Sequence, residues 1–357
     1  MPTKPTVCVA MSGGVDSSVV PLILKKRGYD VIGVTMQIWQ ESQKDPRHAG
    51  CCSLGAVEDA RRVARIIGMP HYVINFKDQF KKTVIDEFVD EYSKGRTPNP
   101  CVTCNRRVKF DALLKTMKDL GCDFLATGHY ARIRRSPNGR YRLMRSRGGE
   151  KDQSYVLYAT SQEQLSQVMF PLGELGSKAE TRNMAREAGL PVADKPDSQE
   201  ICFVSEAGGY REFLRKAKPS VFEEGEVVNS AGEVIATHHG VADFTIGQRK
   251  GIGVAVGSPL YVLKIQPEEN RVIVGTEDEL GVQEVTITDP IWSSYDAFDA
   301  PRRVKAKIRY NMQAQPATLY AGNTPRIVFD QPVRAVTPGQ IAVAYKGESV
   351  VMGGTIR

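Results

Sequence analysis

The chain has 357 residues, 41% of them hydrophobic and 8% aromatic, with 48 Lys and Arg against 41 Asp and Glu for a formal charge of +7. That length accommodates two or three domains with a sizeable core, and no apolar run reaches membrane-spanning length, which excludes a disordered chain and a helical membrane protein. No charged-then-apolar leader opens the chain, so the expected compartment is the cytoplasm. There the seven cysteines suit redox or metal chemistry better than a disulfide framework.

The first apolar run, Val7-Cys8-Val9-Ala10-Met11, leads into Ser12-Gly13-Gly14-Val15-Asp16-Ser17 and then a helical stretch. A strand that empties into a glycine turn capped by a helix N-terminus is a phosphate cradle. Amide N–H groups there carry partial positive charge, and glycines let the main chain close on an anion. The loop is not the Walker form, since no Gly-Lys-Ser/Thr follows, nor is it Gly-x-Gly-x-x-Gly. It resembles the pyrophosphate loop of ATP pyrophosphatases. That resemblance implies ATP with Mg2+, split to AMP and pyrophosphate while a substrate oxygen is adenylylated.

Short apolar runs then alternate with amphipathic stretches, predicting strands over 6–11, 30–36, 71–75 and 124–127 and helices over 16–27, 53–67, 77–92, 105–120 and 178–188. The last helix opens on the capping box Ser177-x-x-Glu180 and closes at Gly189. Pro21 inside the first helix predicts a kink or a late start. The turn-rich Thr97-Pro98-Asn99-Pro100-Cys101-Val102-Thr103-Cys104 runs into the helix predicted from Asn105, which sets Cys104 at or beside its N-terminus. The dipole, with Arg106, Arg107 and Lys109 close in sequence, favours a nucleophilic thiolate there. Seven arginines and no acid lie between Arg132 and Arg147, on two runs joined by Pro137-Asn138-Gly139. They predict a basic hairpin suited to a phosphate backbone. Cys202, in a polar stretch closing the α/β region, is a distant partner thiol, and two such thiols point to sulfur transfer through persulfide and disulfide.

Beyond about residue 206 helices nearly vanish. A short helical piece over 210–217 precedes glycine-punctuated strands, with hairpin turns at Asn229-Ser230-Ala231-Gly232 and Pro267-Glu268-Glu269-Asn270. Arg303-Val304-Lys305-Ala306-Lys307-Ile308-Arg309-Tyr310 alternates basic with apolar or aromatic, a second candidate stripe for RNA. The expected fold is α/β: an N-terminal parallel-sheet ATP pyrophosphatase domain, a small middle domain and a C-terminal β-barrel. The expected boundaries are 1–205, 206–280 and 281–357, with the barrel contacting tRNA.

Eight segments, in order and over nearly the whole chain, resemble the tRNA-specific 2-thiouridylase family. They are the 12–17 loop, Gly95-Arg96-Thr97-Pro98-Asn99-Pro100, Cys104-Asn105, Ala126-Thr127-Gly128-His129-Tyr130, Lys151-Asp152-Gln153-Ser154-Tyr155, Ile201-Cys202-Phe203, Gly247-Gln248-Arg249-Lys250-Gly251 and Val336-Thr337-Pro338-Gly339-Gln340. The resemblance implies ATP-dependent replacement of the C2 oxygen of the wobble uridine, tRNA position 34, by sulfur. It implies Cys104 as nucleophile and Cys202 as the cysteine that receives persulfide sulfur from a donor or relay protein, the sulfur then reaching the base either directly, with Cys104 closing a disulfide, or as hydrosulfide released by Cys104. ATP would be held by Ala10, Met11, Ser12, Gly13, Gly14, Val15, Asp16, Ser17, Met36 and Gly128. Asn99, Pro100 and Cys101 would lie against the target base, while His129, Lys151, Asp152, Gln153, Arg309, Tyr310 and Gln340 would contact tRNA.

The chain departs from the family at Cys101, where many members carry aspartate. Cys101, Cys104 and Cys202 are therefore an alternative ligand set for a 4Fe-4S cluster with one open iron. Rival readings are another pyrophosphate-loop ligase or amidotransferase, and a tRNA-binding Fe–S scaffold without turnover. Cys51 and Cys52 with His48 fall short of a zinc site and suggest a loop. Cys8 and Cys122 are expected as buried apolar residues, His71, Trp39 and Trp292 as packing, and His238 and His239 on a surface turn.

Overall fold

The computed structural model describes residues 4–38, 54–197, 201–254 and 257–357. Trp39, His48, Cys51 and Cys52 lie outside the described residues. Strands β1 (Thr6–Ala10), β2 (Asp30–Gln37), β3 (His71–Asn75) and β4 (Phe124–Ala126) are followed by a hairpin of β5 (Ala131–Arg135) and β6 (Tyr141–Arg145), and then by β7 (Val168–Met169). Among the described residues β1 to β4 and β7 form one parallel sheet in the order β3-β2-β1-β4-β7. β1 lies at its centre, and Val7, Cys8 and Val9 are wholly buried, which is why that strand reads as an unbroken apolar run. The order reverses between β1 and β4. Loops leaving the C-terminal ends of those two strands flank a crevice, the place where such sheets bind ligands.

Helix Val15–Lys26 starts on time and runs through Pro21; the expected late start is not seen. Leu54–Ile67 and Lys178–Glu187 match expectation to within a residue. The capping box is only half made: Ser177 accepts from the Glu180 amide, but Glu180 accepts from the Gly176 amide instead of that of Ser177. The helix expected from Asn105 begins earlier, at Pro100, with Asn99 as its N-cap. It widens to π-type turns over Cys104–Ala112 and finishes as Leu113–Asp119. Cys104 is therefore a full turn inside the helix, and Cys101 occupies the first turn. Proline at the first helical position explains the earlier start, since its missing N–H is unneeded there.

The middle sheet comprises β8 (Gly225–Asn229), β9 (Val234–His238), β10 (Tyr261–Gln266) and β11 (Arg271–Gly275), in the order β10-β11-β8-β9. Both expected turns are present. The Asn229 side chain accepts from the amides of Ala231 and Glu233, and Asn270 adopts φ 48° after the Pro267–Glu269 turn. His238 is not on a surface turn: it is buried at the end of β9, where its Nδ1 accepts from the Gly240 amide at 3.0 Å.

Strands β12 (Gly281–Trp292), β13 (Arg302–Lys307), β14 (Gln315–Tyr320), β15 (Arg326–Arg334), β16 (Ile341–Lys346) and β17 (Ser349–Ile356) close into a barrel, because the long β12 pairs with β15 by its first half and β17 by its second. Trp292 packs on Phe298 at the barrel core, ring centroids 5.2 Å apart. The β5–β6 hairpin joins this sheet, β6 pairing with β17.

That attachment corrects the reading of the arginine-rich hairpin. Arg132 bonds the Arg145 carbonyl and pairs with Glu348, while Arg134 pairs with Glu174. Arg140 pairs with Asp296 and donates to the Trp292 and Tyr295 carbonyls, and Arg142 and Arg145 lie over Tyr295 and Tyr345. The hairpin is a clasp between units rather than an open phosphate stripe. The stripe on β13 is broken too, since Arg303 pairs with Asp330 and Lys307 is buried. Among the described residues no helix is long and apolar enough to cross a membrane.

Candidate active site

The loop over residues 12–17 sits at the reversal point of the parallel sheet. Ser12 and Ser17 bond each other through their side chains, Ser17 Oγ accepts from the Ser12 amide, and the Ser17 and Ser18 hydroxyls donate to the Gly14 carbonyl. Gly13, at φ 69°, lies so close to Ala56 that a Cβ would overlap its backbone. Gly128, just beyond β4, approaches within what would be 2.8 Å of the Ser17 amide if it bore a Cβ. Gly13 is thus held against the helix over Leu54–Ile67, and Gly128 against the start of the helix that follows the loop, two close approaches that only glycine allows. Met11 and Val15 are buried in the core, so they offer the loop only main-chain atoms. Ala10 and Met36 are half-buried against the neighbouring core.

Sequence reasoning missed the ionic groups around this loop. Asp16 receives both carboxylate bonds from Lys178, at 2.5 and 2.6 Å, and one from the Tyr130 hydroxyl at 2.7 Å. Lys178 also reaches Asp197 at 3.0 Å, which Lys151 and Arg182 share. Burial opposes ionisation of Asp197, but the hydrogen bond and charge of Lys178 outweigh it and hold the carboxyl below its ordinary range. Lys195 donates to the Gly13 carbonyl at 3.1 Å and to Asp59 at 2.8 Å. One local signal existed: a lysine at the first position of a helix opposes the dipole and needs a nearby anion.

Cys104 and Cys202 both edge one apolar cluster that contains Phe80, Phe88 and Phe203. Phe203 packs edge-on against Phe80 and Phe88 at 5.8 and 5.2 Å, which fixes the chain beside Cys202. The helix carrying Cys104 reaches the end of β4 through Phe110, whose ring lies 6.2 Å from that of His129. His129 is half-buried with Nδ1 2.7 Å from Thr127 Oγ1. Burial, with Lys109 nearby, pushes its pKa well below the ordinary value. Among the described residues no three Cys, His, Asp or Glu side chains converge as a metal-holding set. Cys101, Cys104 and Cys202 therefore do not fit a cluster site in this arrangement.

The other expected contacts divide in two. Asn99 is spent as a helix cap, and Gln340 donates to the Thr97 and Pro98 carbonyls at 2.9 and 3.3 Å. Asp152 accepts from the Ser146 and Ser154 amides, and Gln153 accepts from the Tyr130 amide. These residues hold the framework. Pro100 is buried, whereas Cys101 is exposed. Arg309 and Tyr310 face a cleft of about 450 Å³ where the three units meet, lined also by Thr97, Gln248 and Gln340. Burial, followed by the charges of Asp152 and Cys101, raises the Tyr310 phenol above its ordinary pKa.

Residues 5–206 match the family model described as the tRNA methyl transferase HUP domain, 211–276 the tRNA methyl transferase PRC-barrel domain, and 282–356 the aminomethyltransferase beta-barrel domain. The chain is similar to the tRNA-specific 2-thiouridylase MnmA of Clostridioides difficile, at 47% identity over 98% of this chain and 97% of that one. It is similar to its counterpart in Acetivibrio thermocellus at 48% over 99% and 100%, and to that in Moorella thermoacetica at 48% over 98% of each.

Proposed function

The chain belongs to the tRNA-specific 2-thiouridylase family, and from that membership we propose which of its residues carry out ATP-dependent 2-thiolation of a tRNA uridine: Cys104 is the attacking thiol, Cys202 carries the persulfide, and residues 12–17 with Gly128 hold ATP. The target is the wobble uridine. The observation that carries this reading is the closure of the 12–17 loop on Gly128, with the Cys104 helix packed over His129 at that same end of the sheet. Methyl transfer, the activity in the matching models' descriptions, has no use for a pyrophosphate loop backed by two thiols.

Uracil C2 is a poor electrophile because its oxygen is a poor leaving group. In the first step O2 attacks the α-phosphorus, the α–β anhydride bond breaks with its electron pair leaving on pyrophosphate, and N3 gives its proton to water. The terminal persulfide sulfur on Cys202 then attacks C2, and AMP leaves with the C2–O pair. Finally the Cys104 thiolate attacks Cys202 Sγ. The S–S pair returns to the sulfur on C2, leaving 2-thiouridine and a Cys104–Cys202 disulfide for an external thiol to reduce. The sulfur donor is a persulfide-bearing protein, and Mg2+ arrives with ATP. Arg309, Tyr310 and Lys151 are the tRNA-contacting side chains in this reading; His129, Asp152, Gln153 and Gln340 shape the surface from beneath.

The experiment is mass spectrometry of nucleosides from tRNA incubated with ATP, the protein and a persulfide donor. The expected product is 2-thiouridine at position 34. Its absence while ATP is cleaved would reject the assignment.

A further inference from the structure

We propose that Lys178 grips the β- and γ-phosphates of ATP, and the pyrophosphate they become, an assignment that rests on the nucleotide reading of residues 12–17. Its side chain is only 11% exposed, and an ammonium so far removed from water needs anions around it. Two of its bonds go to Asp16, in the first turn of the helix that ends the loop, and a third goes to Asp197. The two partners differ in what they would lose. Asp197 also holds Lys151 at 3.4 Å and Arg182 at 3.2 Å, so it can release Lys178 and remain doubly paired. A phosphate oxygen can take that place while Asp16 keeps the ammonium at the loop.

The same bond solves a second problem for the loop. A bare Asp16 carboxylate would repel a triphosphate, and Lys178 cancels its charge; Lys195, paired with Asp59, does the same on the other flank. Lysine serves phosphates as a point charge. Negative charge accumulates on the leaving pyrophosphate as the α–β bond breaks, so the contact strengthens toward the transition state.

The test is binding of magnesium pyrophosphate and of AMP, by calorimetry, to wild type, Lys178→Gln, Lys178→Arg and the double variant Asp16→Asn with Lys178→Met. Lys178→Gln should lose about tenfold or more in pyrophosphate affinity with AMP changed by less than about twofold, and Lys178→Arg should stay within about threefold of wild type. The double variant removes the uncancelled carboxylate together with the lysine and should remain defective for pyrophosphate. Recovery there would show that Lys178 acts only by neutralising Asp16 and would overturn the proposal, as would equal losses for AMP and pyrophosphate in Lys178→Gln. A wild-type protein that bound neither would overturn the loop reading and this assignment with it.

Discussion

At the scale of single residues, the proposed chemistry turns on two thiols and two close-approach glycines. Replacing Cys104 by Ser should abolish 2-thiouridine formation and leave tRNA binding largely intact; a variant that thiolates at the wild-type rate would remove Cys104 from the mechanism. Replacing Gly128 by Ala pushes a methyl group against the Asp16 and Ser17 backbone, which cannot yield as a flexible side chain would. A cost of about 1–3 kcal/mol is expected, read as a lowered melting temperature together with weakened ATP binding. Normal ATP affinity in this variant would contradict the close approach. The strand, glycine turn and helix start around residues 6–17 were legible because they fall within a few consecutive positions. Lys178, Lys195 and Tyr130 were not, since they meet the loop from 114 to 182 residues away and, beyond the lysine at the start of its helix, nothing local announces them.

Elements were easier to foresee than their destinations. The hairpin of β5 and β6 follows from alternation and its Pro-Asn-Gly turn. Its partner β17 and the acids that absorb its arginines lie elsewhere in the chain, so it looked like an RNA surface. Replacing Arg140 by Ala strips the Trp292 and Tyr295 carbonyls of a donor and should cost about 1–3 kcal/mol. The salt dependence of tRNA binding should not change, whereas Arg309→Ala should flatten it. A flattened slope for Arg140→Ala would return the hairpin to the RNA. The helix start was misplaced for a related reason: Asn99-Pro100 is turn chemistry in isolation, yet with Gln340 pinning Thr97 and Pro98 it becomes a cap and a first turn.

Across the whole molecule, three half-buried or buried histidines share one titration behaviour. Burial, reinforced by Arg61 at His71 and Lys109 at His129, holds both pKa values below 6.5, and burial also lowers that of His238. The folded protein thus takes up these protons at lower pH than the unfolded chain, which titrates at its ordinary values. Stability is intact above about pH 6.5 and falls as pH drops below it, by up to about 1.4 kcal/mol per histidine per pH unit. Urea midpoints at pH 7.5, 6.0 and 5.0 should decline before the carboxylates titrate; a constant midpoint would refute this. Two α/β and β patterns of different period made the three-part architecture readable from the sequence. Which surfaces meet was not, because docking depends on contacts such as Tyr155 Oη donating to the Ile341 carbonyl at 2.6 Å.

The hairpin that grows from the nucleotide-binding unit is a continuation of the barrel wall, and Gly353 in that wall lies so near Tyr158 that no side chain could come between them. Swinging the barrel outward would tear main-chain bonds as well as side-chain contacts. For the tRNA contact proposed at the mouth between the units, this attachment leaves the distortion to the nucleic acid. Under that proposal, anticodon loops that splay their bases at little energetic cost should be thiolated fastest, and kcat/KM compared across tRNAs of equal sequence but different loop stiffness checks it.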